Sequence, residues 1–295
     1  GLEDQTLLGR YVPRWLDLAI HQSQRLSPVT HATQLVLAGG GHSHALLLRR
    51  WAMRPQNRPK GLITLVNRSS TTLYSGMVPG LIAGLYSRDQ IAIDLRRLAG
   101  EAGVAFVQAE IKGLDLIRQT VQLEGRMPLP FTQLSLDLGA ISRPTAPDHS
   151  LTSGTLVPIK PLEPALALLE NQDGSSSAPF HVVGSGLAGV EVALALRHRW
   201  HRRPIHLLAH ADRLDRRFAT ALRAADVHVV QHSAGAPATT ALERISAGLI
   251  CSGSRAPEWL AESGLPCCPQ SGRVRTNNKL RVIDQPRIFA SGDCA

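Results

Sequence analysis

Residues 35–45 read LVLAGGGHSHA, an apolar run that enters three consecutive glycines and then a pair of histidines. A buried strand that ends in a glycine-rich turn and opens a helix is the pattern of a dinucleotide-binding βαβ unit. In the full G-x-G-x-x-G form, the third glycine lets the helix pack closely on the strand, and His44 stands in that position here. The residues alone leave three interpretations open: a dinucleotide site with one position changed, a metal site, or a plain strand-to-helix turn.

The same pattern occurs a second time in HVVGSGLAGVEVALALRHR (181–199), with the complete set Gly184, Gly186 and Gly189. An apolar strand precedes it and an apolar helical stretch follows it, which is the context that the motif requires. One glycine serves the tight turn, one lets the backbone approach a pyrophosphate, and one allows close packing of the helix. The N–H groups at the start of the helix then face the phosphates.

The first copy keeps Gly39 and Gly41, so the turn and the phosphate approach are preserved, and the predicted contact stretch also includes Gly40, His42 and Ser43. His44 should either widen the gap between helix and strand or point aside, which predicts looser packing. Two histidines at i and i+2 do not complete a metal site by themselves, and no metal is predicted. A histidine here could shuttle a proton for a bound cofactor, or it could be a helix-start residue facing solvent.

Short apolar or β-branched runs alternate with helical stretches from Gln34 onward, which predicts an α/β fold with doubly wound parallel sheets. The segment NQDGSSSAPF (171–180) is a loop and a boundary signal. The predicted strands are LVLAG (35–39), LITLV (62–66), VAFVQAEI (104–111), LSLDLG (134–139), FHVVG (180–184), IHLLAH (205–210), VHVVQ (227–231), GLICSG (248–253) and RIFASG (287–292).

A dinucleotide fold commonly carries an acid for the ribose after the second strand. After LITLV the residues are Asn67 and Arg68, and an asparagine can still bond to a pair of hydroxyls. In the second unit, LLAHADRLDRR (207–217) has Asp212 only after His210 and is rich in arginine. That composition favours NADP over NAD, and it equally permits a second unit that binds no nicotinamide cofactor.

The composition narrows the function classes further. The 295 residues carry a net charge of +9, mostly from arginine, which indicates anionic partners such as phosphate-bearing cofactors. Aromatic residues make up only 4%, so a nucleic-acid partner is not expected. No run is long enough to span a membrane and no signal peptide is seen, so a soluble, cytoplasmic protein is expected. Residues 1–33 form a separate extension with a helical apolar stripe that suits docking on the protein itself or peripheral membrane contact.

Motifs along 34–295 together resemble the pyridine nucleotide-disulphide oxidoreductases and type II NADH dehydrogenases. The resemblance implies two Rossmann-like domains, with an NAD-type domain inserted in an FAD-type domain. It implies an FAD domain at 34–157 and 257–295 and an NAD(P)-binding-like domain at 158–256. The residues that carry it are the two glycine motifs, LDLGAISRP (136–144), LICSGSRAP (249–257) and RIFASGDCA (287–295).

The family likeness also implies roles for single residues. Asp293 after Gly292 would hold the ribityl chain of FAD, and Glu191 would position the nicotinamide end of NAD(P)H. Gly139 and Gly253 would mark the crossings between the domains. A closer likeness of GGGHSHALLLRRWAMRP, LYSGMVPGLIAG (73–84) and IDLRRLAGEAGV (93–104) is to the oxidoreductase domain fused to selenide, water dikinase. By that resemblance the histidine pair is a family trait, and the first glycine turn is an FAD site.

The sequence departs from the disulphide reductases in two ways. The redox-active cysteine pair is missing from the helix after the first motif, since that helix reads ALLLRRWAMRP. The sequence also ends two residues after Asp293, so either it is a fragment or the flavin ring is unusually open. An FAD-dependent oxidoreductase is expected, passing electrons from NAD(P)H to a quinone or a selenium or sulfur compound, with a selenide, water dikinase domain as a possible partner. The competing hypotheses are a non-catalytic nucleotide-binding module and a nucleic-acid binder.

Overall fold

The computed structural model describes residues 33–142, 155–174, 177–210, 213–232 and 245–295. The extension 1–33 lies outside these residues except for Thr33, and Asp212 lies outside them as well. The strands are β1 Gln34–Ala38, β2 Leu62–Asn67, β3 Thr71–Leu73, β4 Ala92–Asp94, β5 Ala105–Gln108, β6 Ile111–Asp115, β7 Thr120–Leu123, β8 Leu129–Pro130, β9 Gln133–Leu136, β10 Ile141–Ser142, β11 Thr155–Pro158, β12 Phe180–Val183, β13 Ile205–His210, β14 His228–His232, β15 Ala247–Ile250, β16 Ser254–Arg255 and β17 Ile288–Ala290.

The α-helices lie between these strands, and the two longest follow the glycine turns. They are α1 His42–Met53, α2 Val78–Ile82, α3 Arg88–Ile91, α4 Leu95–Glu101, α5 Leu162–Gln172, α6 Leu187–Arg199, α7 Arg216–Ala224 and α8 Trp259–Glu262. Short 3-10 turns occupy Pro55–Asn57, Ser75–Met77 and Gly292–Cys294. No helix in the described ranges is long and apolar enough to cross a bilayer.

Two compact units make up the chain, and each is built on a five-stranded parallel sheet. Of the described residues, unit 1 comprises 33–74, 92–140 and 255–295, and its sheet has the order β17-β9-β1-β2-β5. Unit 2 comprises 75–91 and the described residues between 141 and 254, and its sheet has the order β11-β15-β12-β13-β14. The prediction of an α/β fold with two Rossmann-like parallel sheets is confirmed.

The packing of strand β1 explains why its sequence is a nearly continuous apolar run. Leu35 and Leu37 pack on one face against side chains of α1 and α4, including the buried Trp51. Val36 and Ala38 pack on the other face against the antiparallel sheet β6-β7-β8. Because side chains alternate across a strand, covering both faces makes every position apolar.

The predicted strand 104–111 proves to be two elements. Strand β5 ends at Gln108 and pairs with β2 in the parallel sheet, whereas β6 begins at Ile111 and pairs with β7 in the antiparallel sheet. Ala109 follows β5 and donates its N–H to the carbonyl of Asn67. An apolar run alone does not show where a chain leaves one sheet for another.

The unit boundaries differ from those that the sequence suggested, 34–157 with 257–295 and 158–256. Strand β11 pairs along its whole length with β15, so a boundary at 157 would divide a strand of unit 2. Residues 75–91 also belong to unit 2, where the carbonyl of Ile82 accepts a hydrogen bond from Arg199 on α6 at 3.2 Å. Which nucleotide each unit binds is a separate matter and remains a proposal.

Three histidines occupy neighbouring positions across the sheet of unit 2. His181 on β12 is the register partner of His206 on β13, which in turn is the partner of His228 on β14. Their ring centroids lie 5.1 Å and 5.0 Å apart. Burial, and then the neighbouring imidazole, lowers the pKa of His181 and of His206. Arg203 lowers the pKa of His181 further, while a hydrogen bond to the Ala247 backbone opposes the change.

We expect this row of histidines to make the free energy of unfolding sensitive to acid. The folded state keeps His181 and His206 neutral, so below a pH of about 6.5 the unfolded chain binds protons that the folded chain does not. The free energy of unfolding should therefore fall as the pH drops through that value. Urea unfolding at about pH 8 and about pH 5.5 measures the loss.

His206→Gln should lose less free energy of unfolding on acidification than the unaltered chain. His198→Gln on α6 is the matched control, because His198 is exposed and lies on a helix rather than in the row. An equal acid loss in His206→Gln and in the unaltered chain would contradict the expectation.

Candidate functional site

The first glycine turn connects β1 to α1 at the carboxyl end of the sheet of unit 1. Gly39 has a φ of 96°, a left-handed conformation that favours glycine. Its N–H donates to the carbonyl of Val66 at 2.8 Å, and the N–H of Gly41 donates to the carbonyl of Asp137 at 3.1 Å. The turn is thus hydrogen-bonded to the ends of both neighbouring strands, β2 and β9.

His44 is fully buried beneath this turn and ties the helix to the sheet. Its Nδ1 lies 2.6 Å from the carbonyl oxygen of Gly39, and its Nε2 lies 2.8 Å from the hydroxyl of Ser135 on β9. A carbonyl only accepts, so Nδ1 carries the proton. Burial lowers the pKa of His44, and in the resulting neutral ring Nε2 accepts from the Ser135 hydroxyl.

The prediction that His44 could face solvent is wrong, because its imidazole is buried between helix and strand and both of its nitrogens are hydrogen-bonded. The looser packing expected from a wider gap stays a prediction. His42, the first residue of α1, is half-buried and stacks on Tyr74 with ring centroids 4.8 Å apart. Burial lowers the pKa of His42, and the nearby Asp137 opposes that change.

Asp137 is the residue of this site that the sequence motifs did not indicate. It follows β9, is 3% exposed, and its carboxylate accepts the backbone N–H of His44 at 3.1 Å and a hydrogen bond from the backbone of Ser43. These N–H groups belong to the first turn of α1. Burial raises the pKa of Asp137, and His44, the two N–H groups and His42 act against that increase. A lone aspartate closing an apolar strand, as in LSLDLG, is the signal that could have identified it.

Asn67 supports the turn from the end of β2. Its Oδ1 accepts the N–H of Gly40 at 2.9 Å, and its Nδ2 donates to the carbonyl of Ser69 at 2.8 Å. Arg68 beside it is exposed. The contact of Asn67 with a ribose, which the sequence suggested, stays a prediction, and the structure gives this amide a second task in fixing the turn.

The segment after β17 reaches the same place in unit 1. Gly292 has a φ of 71°, and a Cβ added to it would lie 2.6 Å from Oδ1 of Asp137. The hydroxyl of Ser291 is buried and has no hydrogen-bond partner among the described residues, whereas the side chain of Asp293 is exposed. A buried hydroxyl without a partner is rare in folded proteins, and it marks a position where a bound polar group would complete the structure.

The second glycine turn connects β12 to α6 in unit 2. A Cβ on Gly189 would overlap the carbonyl of Gly184, so the helix packs on the turn as closely as the motif requires. Gly186 has no atom within 4 Å of an added Cβ and is exposed, which leaves its backbone open to a ligand. Ser185 accepts the N–H of His210 at the end of β13 at 2.6 Å. Glu191 lies on an exposed face of α6.

The predicted site residues therefore fall into two groups. The structure brings Gly39, Gly40, Gly41, His42, Ser43, His44, Asn67, Gly292 and Asp293 to the same end of the sheet in unit 1, and Gly184, Gly186, Gly189 and Glu191 to one turn in unit 2. Gly139 and Gly253 have φ values of 70° and 73° and lie next to the points where the chain passes between the units. Within the described ranges, no group of three or more His, Cys, Asp or Glu side chains is arranged to hold a metal ion.

We expect His44→Gly, which restores the complete glycine motif, to destabilise the protein. It leaves a cavity under the turn and removes the partner of Ser135, so the free energy of unfolding should fall by about 2–4 kcal/mol in chemical denaturation. Ser135→Ala should cost about 1–3 kcal/mol by leaving Nε2 unpaired. The double variant should cost no more than His44→Gly alone. An unchanged midpoint for His44→Gly would refute this role.

Sequence comparison finds relatives among NADH dehydrogenase-like proteins. The chain is 27% identical over 172 residues to the NADH dehydrogenase-like protein YutJ of Bacillus subtilis, covering 56% of this chain and 45% of that protein. It is 26% identical over 236 residues to the NADH dehydrogenase-like protein MT1860 of Mycobacterium tuberculosis, covering 69% and 58%. The chain thus spans about half the length of these relatives.

Solved structures share the fold. The reduced CoADR-RHD of Bacillus anthracis superposes with a TM-score of 0.73 at 17% identity, covering 90% of this chain and 51% of that one. The NAD-dependent persulfide reductase from A. fulgidus gives 0.70 at 20% identity, covering 89% and 53%. Residues 33–295 match the profile of the pyridine nucleotide-disulphide oxidoreductases. The chain therefore belongs to this family of FAD-containing, NAD(P)H-dependent oxidoreductases.

Proposed function

We propose that the chain takes electrons from NAD(P)H through FAD to a small-molecule acceptor. The observation that carries this proposal is the pair of glycine turns, each at the carboxyl end of a parallel sheet in its own unit and each opening a long helix. That position is where open α/β sheets bind nucleotides. Two such turns suit two dinucleotides, with FAD in unit 1 and NAD(P)H in unit 2.

The residues of unit 1 fit FAD. The backbone of Gly39–Gly41 offers the close approach that a pyrophosphate needs, and Asn67 and Arg68 lie where the ribose of the cofactor is expected. Asp293 would hold the ribityl chain, and the unpaired hydroxyl of Ser291 beside it would gain a partner. When bound, FAD supplies the hydride and electron chemistry, and the protein binds and orients it. Tyr74, fixed by its stacking on His42, would shape the surroundings of the cofactor.

The residues of unit 2 suit the nicotinamide cofactor. The open backbone at Gly186 and the start of α6 would receive its phosphates, and Glu191 would position its nicotinamide end. The first position after β13 is Ala211 rather than an acid, Asp212 follows it, and then come Arg213 and Arg216, the latter at the start of α7. Asp215, the next acid, caps α7 and is engaged by Arg217 at 3.0 Å. This charge pattern favours NADPH as the donor.

We further propose that the acceptor is a quinone or an oxidised selenium or sulfur compound and that the protein is cytoplasmic. The likeness of the stretches 39–55, 73–84 and 93–104 to the domain fused to selenide, water dikinase supports the selenium link and that kinase as a partner. A quinone acceptor would fit peripheral membrane contact. Two of the thiols, those of Cys251 and Cys294, are unsuited to forming a redox-active disulphide. Burial raises the pKa of Cys251 to about 12 and that of Cys294 to about 11, which keeps both protonated.

The visible absorption spectrum of the purified protein tests the proposal most directly. A bound flavin should be present or be taken up from added FAD, and anaerobic NADPH should bleach it faster than NADH does. Bleaching with NADH alone would overturn the choice of donor. Failure to retain any FAD would overturn the proposed function.

Gly186→Val should separate the two nucleotide sites. Its φ of −81° and the free space around it allow the valine side chain without strain in the fold, while the branched side chain would block the approach of phosphates. We expect normal FAD content and a loss of reduction by NAD(P)H of about a hundredfold or more, following the loss of phosphate contacts. Gly100→Ala, which also has free space but lies on α4, is the control. Unchanged reduction in Gly186→Val would contradict the assignment.

A further inference from the structure

Two segments of unit 1 are assigned to FAD, the Gly39–Gly41 turn and the segment after β17. Both lie next to one buried carboxylate, that of Asp137. A Cβ added to Gly41 would overlap this carboxylate, and one added to Gly292 would lie 2.6 Å from Oδ1. The backbone of Asp137 is bonded to the turn as well, since its N–H donates to the carbonyl of Ala38 and its carbonyl accepts from Gly41. No other acidic side chain among the described residues is buried to this extent.

This carboxylate already uses the hydrogen-bond donors that a dinucleotide turn normally offers to phosphate. The backbone N–H groups of Ser43 and His44, in the first turn of α1, point to Asp137. A pyrophosphate at the Gly39–Gly41 turn would bring further negative charge to a buried anion. Two anions in one weakly solvated place cannot both stay ionised without a large cost in free energy.

Few groups are available to balance that charge. On α1, burial lowers the pKa of both His44 and the half-buried His42, which disfavours the charged form of each ring. In the last turn, Cys294 is a protonated thiol whose pKa Asp137 itself helps to raise, and Asp293 adds a second acid on the exposed side. From β2, Asn67 contributes an uncharged amide to the same turn. A proton on the carboxylate is the simplest compensation.

We propose that Asp137 is a positioning residue that holds the two FAD-binding segments together and takes up a proton when FAD binds. The proposal rests on the proposed function, in that FAD must bind to unit 1. The proton neutralises the carboxylate as the pyrophosphate arrives, and the protonated side chain retains one oxygen to accept a backbone N–H. Above the pKa that Asp137 has in the free protein, FAD affinity should fall as the pH rises. If one proton is taken up per FAD, the affinity should fall by about tenfold per pH unit.

Calorimetric titration of the FAD-free protein with FAD, in buffers of different ionisation enthalpy and over a series of pH values, measures the protons taken up. The unaltered chain should take up close to one proton per FAD on the alkaline side. Asp137→Asn should take up none, bind FAD with a dissociation constant independent of pH, and bind more tightly than the unaltered chain at high pH. Asp115→Asn is the matched control and should behave as the unaltered chain does, because Asp115 is a half-buried aspartate of unit 1 paired with Arg118 at 3.0 Å.

Other results would overturn the proposal. FAD binding without proton uptake in the unaltered chain at any pH would exclude it, as would the same pH dependence in Asp137→Asn. If the uptake disappeared in His42→Gln and persisted in Asp137→Asn, the proton would belong to His42. Should Asp137→Asn fail to fold, infrared difference spectra of the unaltered chain must still show a protonated carboxyl group appearing on FAD addition. A chain that binds no FAD at any pH would instead refute the proposed function.

Discussion

The end of strand β1 depends on buried and half-buried polar groups that have little access to water and bond to one another. Three glycines bring the backbone of the turn so close to β2 and β9 that its N–H and carbonyl groups can reach only neighbouring strands and the side chains between them. His44, Ser135, Asn67 and Asp137 supply those side chains. Leaving one buried donor or acceptor unpaired lowers the stability of the fold by more than a typical hydrogen bond contributes. Removing one of these side chains therefore also destabilises its partners.

This constraint also explains why a histidine can stand where the motif usually has glycine. The third glycine normally serves close packing of helix on strand, as Gly189 does in unit 2, where no side chain would fit. In unit 1 the imidazole occupies that space and links the carbonyl of Gly39 to Ser135. The protein thus fixes two turns of the same type in different ways. In unit 2 the helix contacts the turn without a side chain, and in unit 1 it does so through a hydrogen-bonded ring.

Much of the fold could be predicted because parallel strands covered on both faces are apolar at every position. Leu35–Ala38 is an example, and Phe180–Val183 departs from the pattern only at His181; the glycines after both runs indicate the turns. The role of Asp137 could not be predicted in this way, because it lies 93 residues from His44 along the chain and only the order of the strands brings them together. The same holds for residues 75–91, which join unit 2 through contacts of α2 with α6.

The arrangement of charge in unit 1 sets limits on the chemistry of the site. The described groups around Asp137 are a neutral imidazole, an amide, a thiol and the start of a helix, and none of them carries a fixed positive charge. The net charge of +9 therefore places no described Lys or Arg against this carboxylate, although an anionic cofactor is expected at the turn. An anion can bind at such a place through backbone N–H groups and through removal of the competing negative charge. Affinity in unit 1 should then depend on protonation and hydrogen-bond geometry more than on arginine, whereas the arginines after β13 give unit 2 the opposite character.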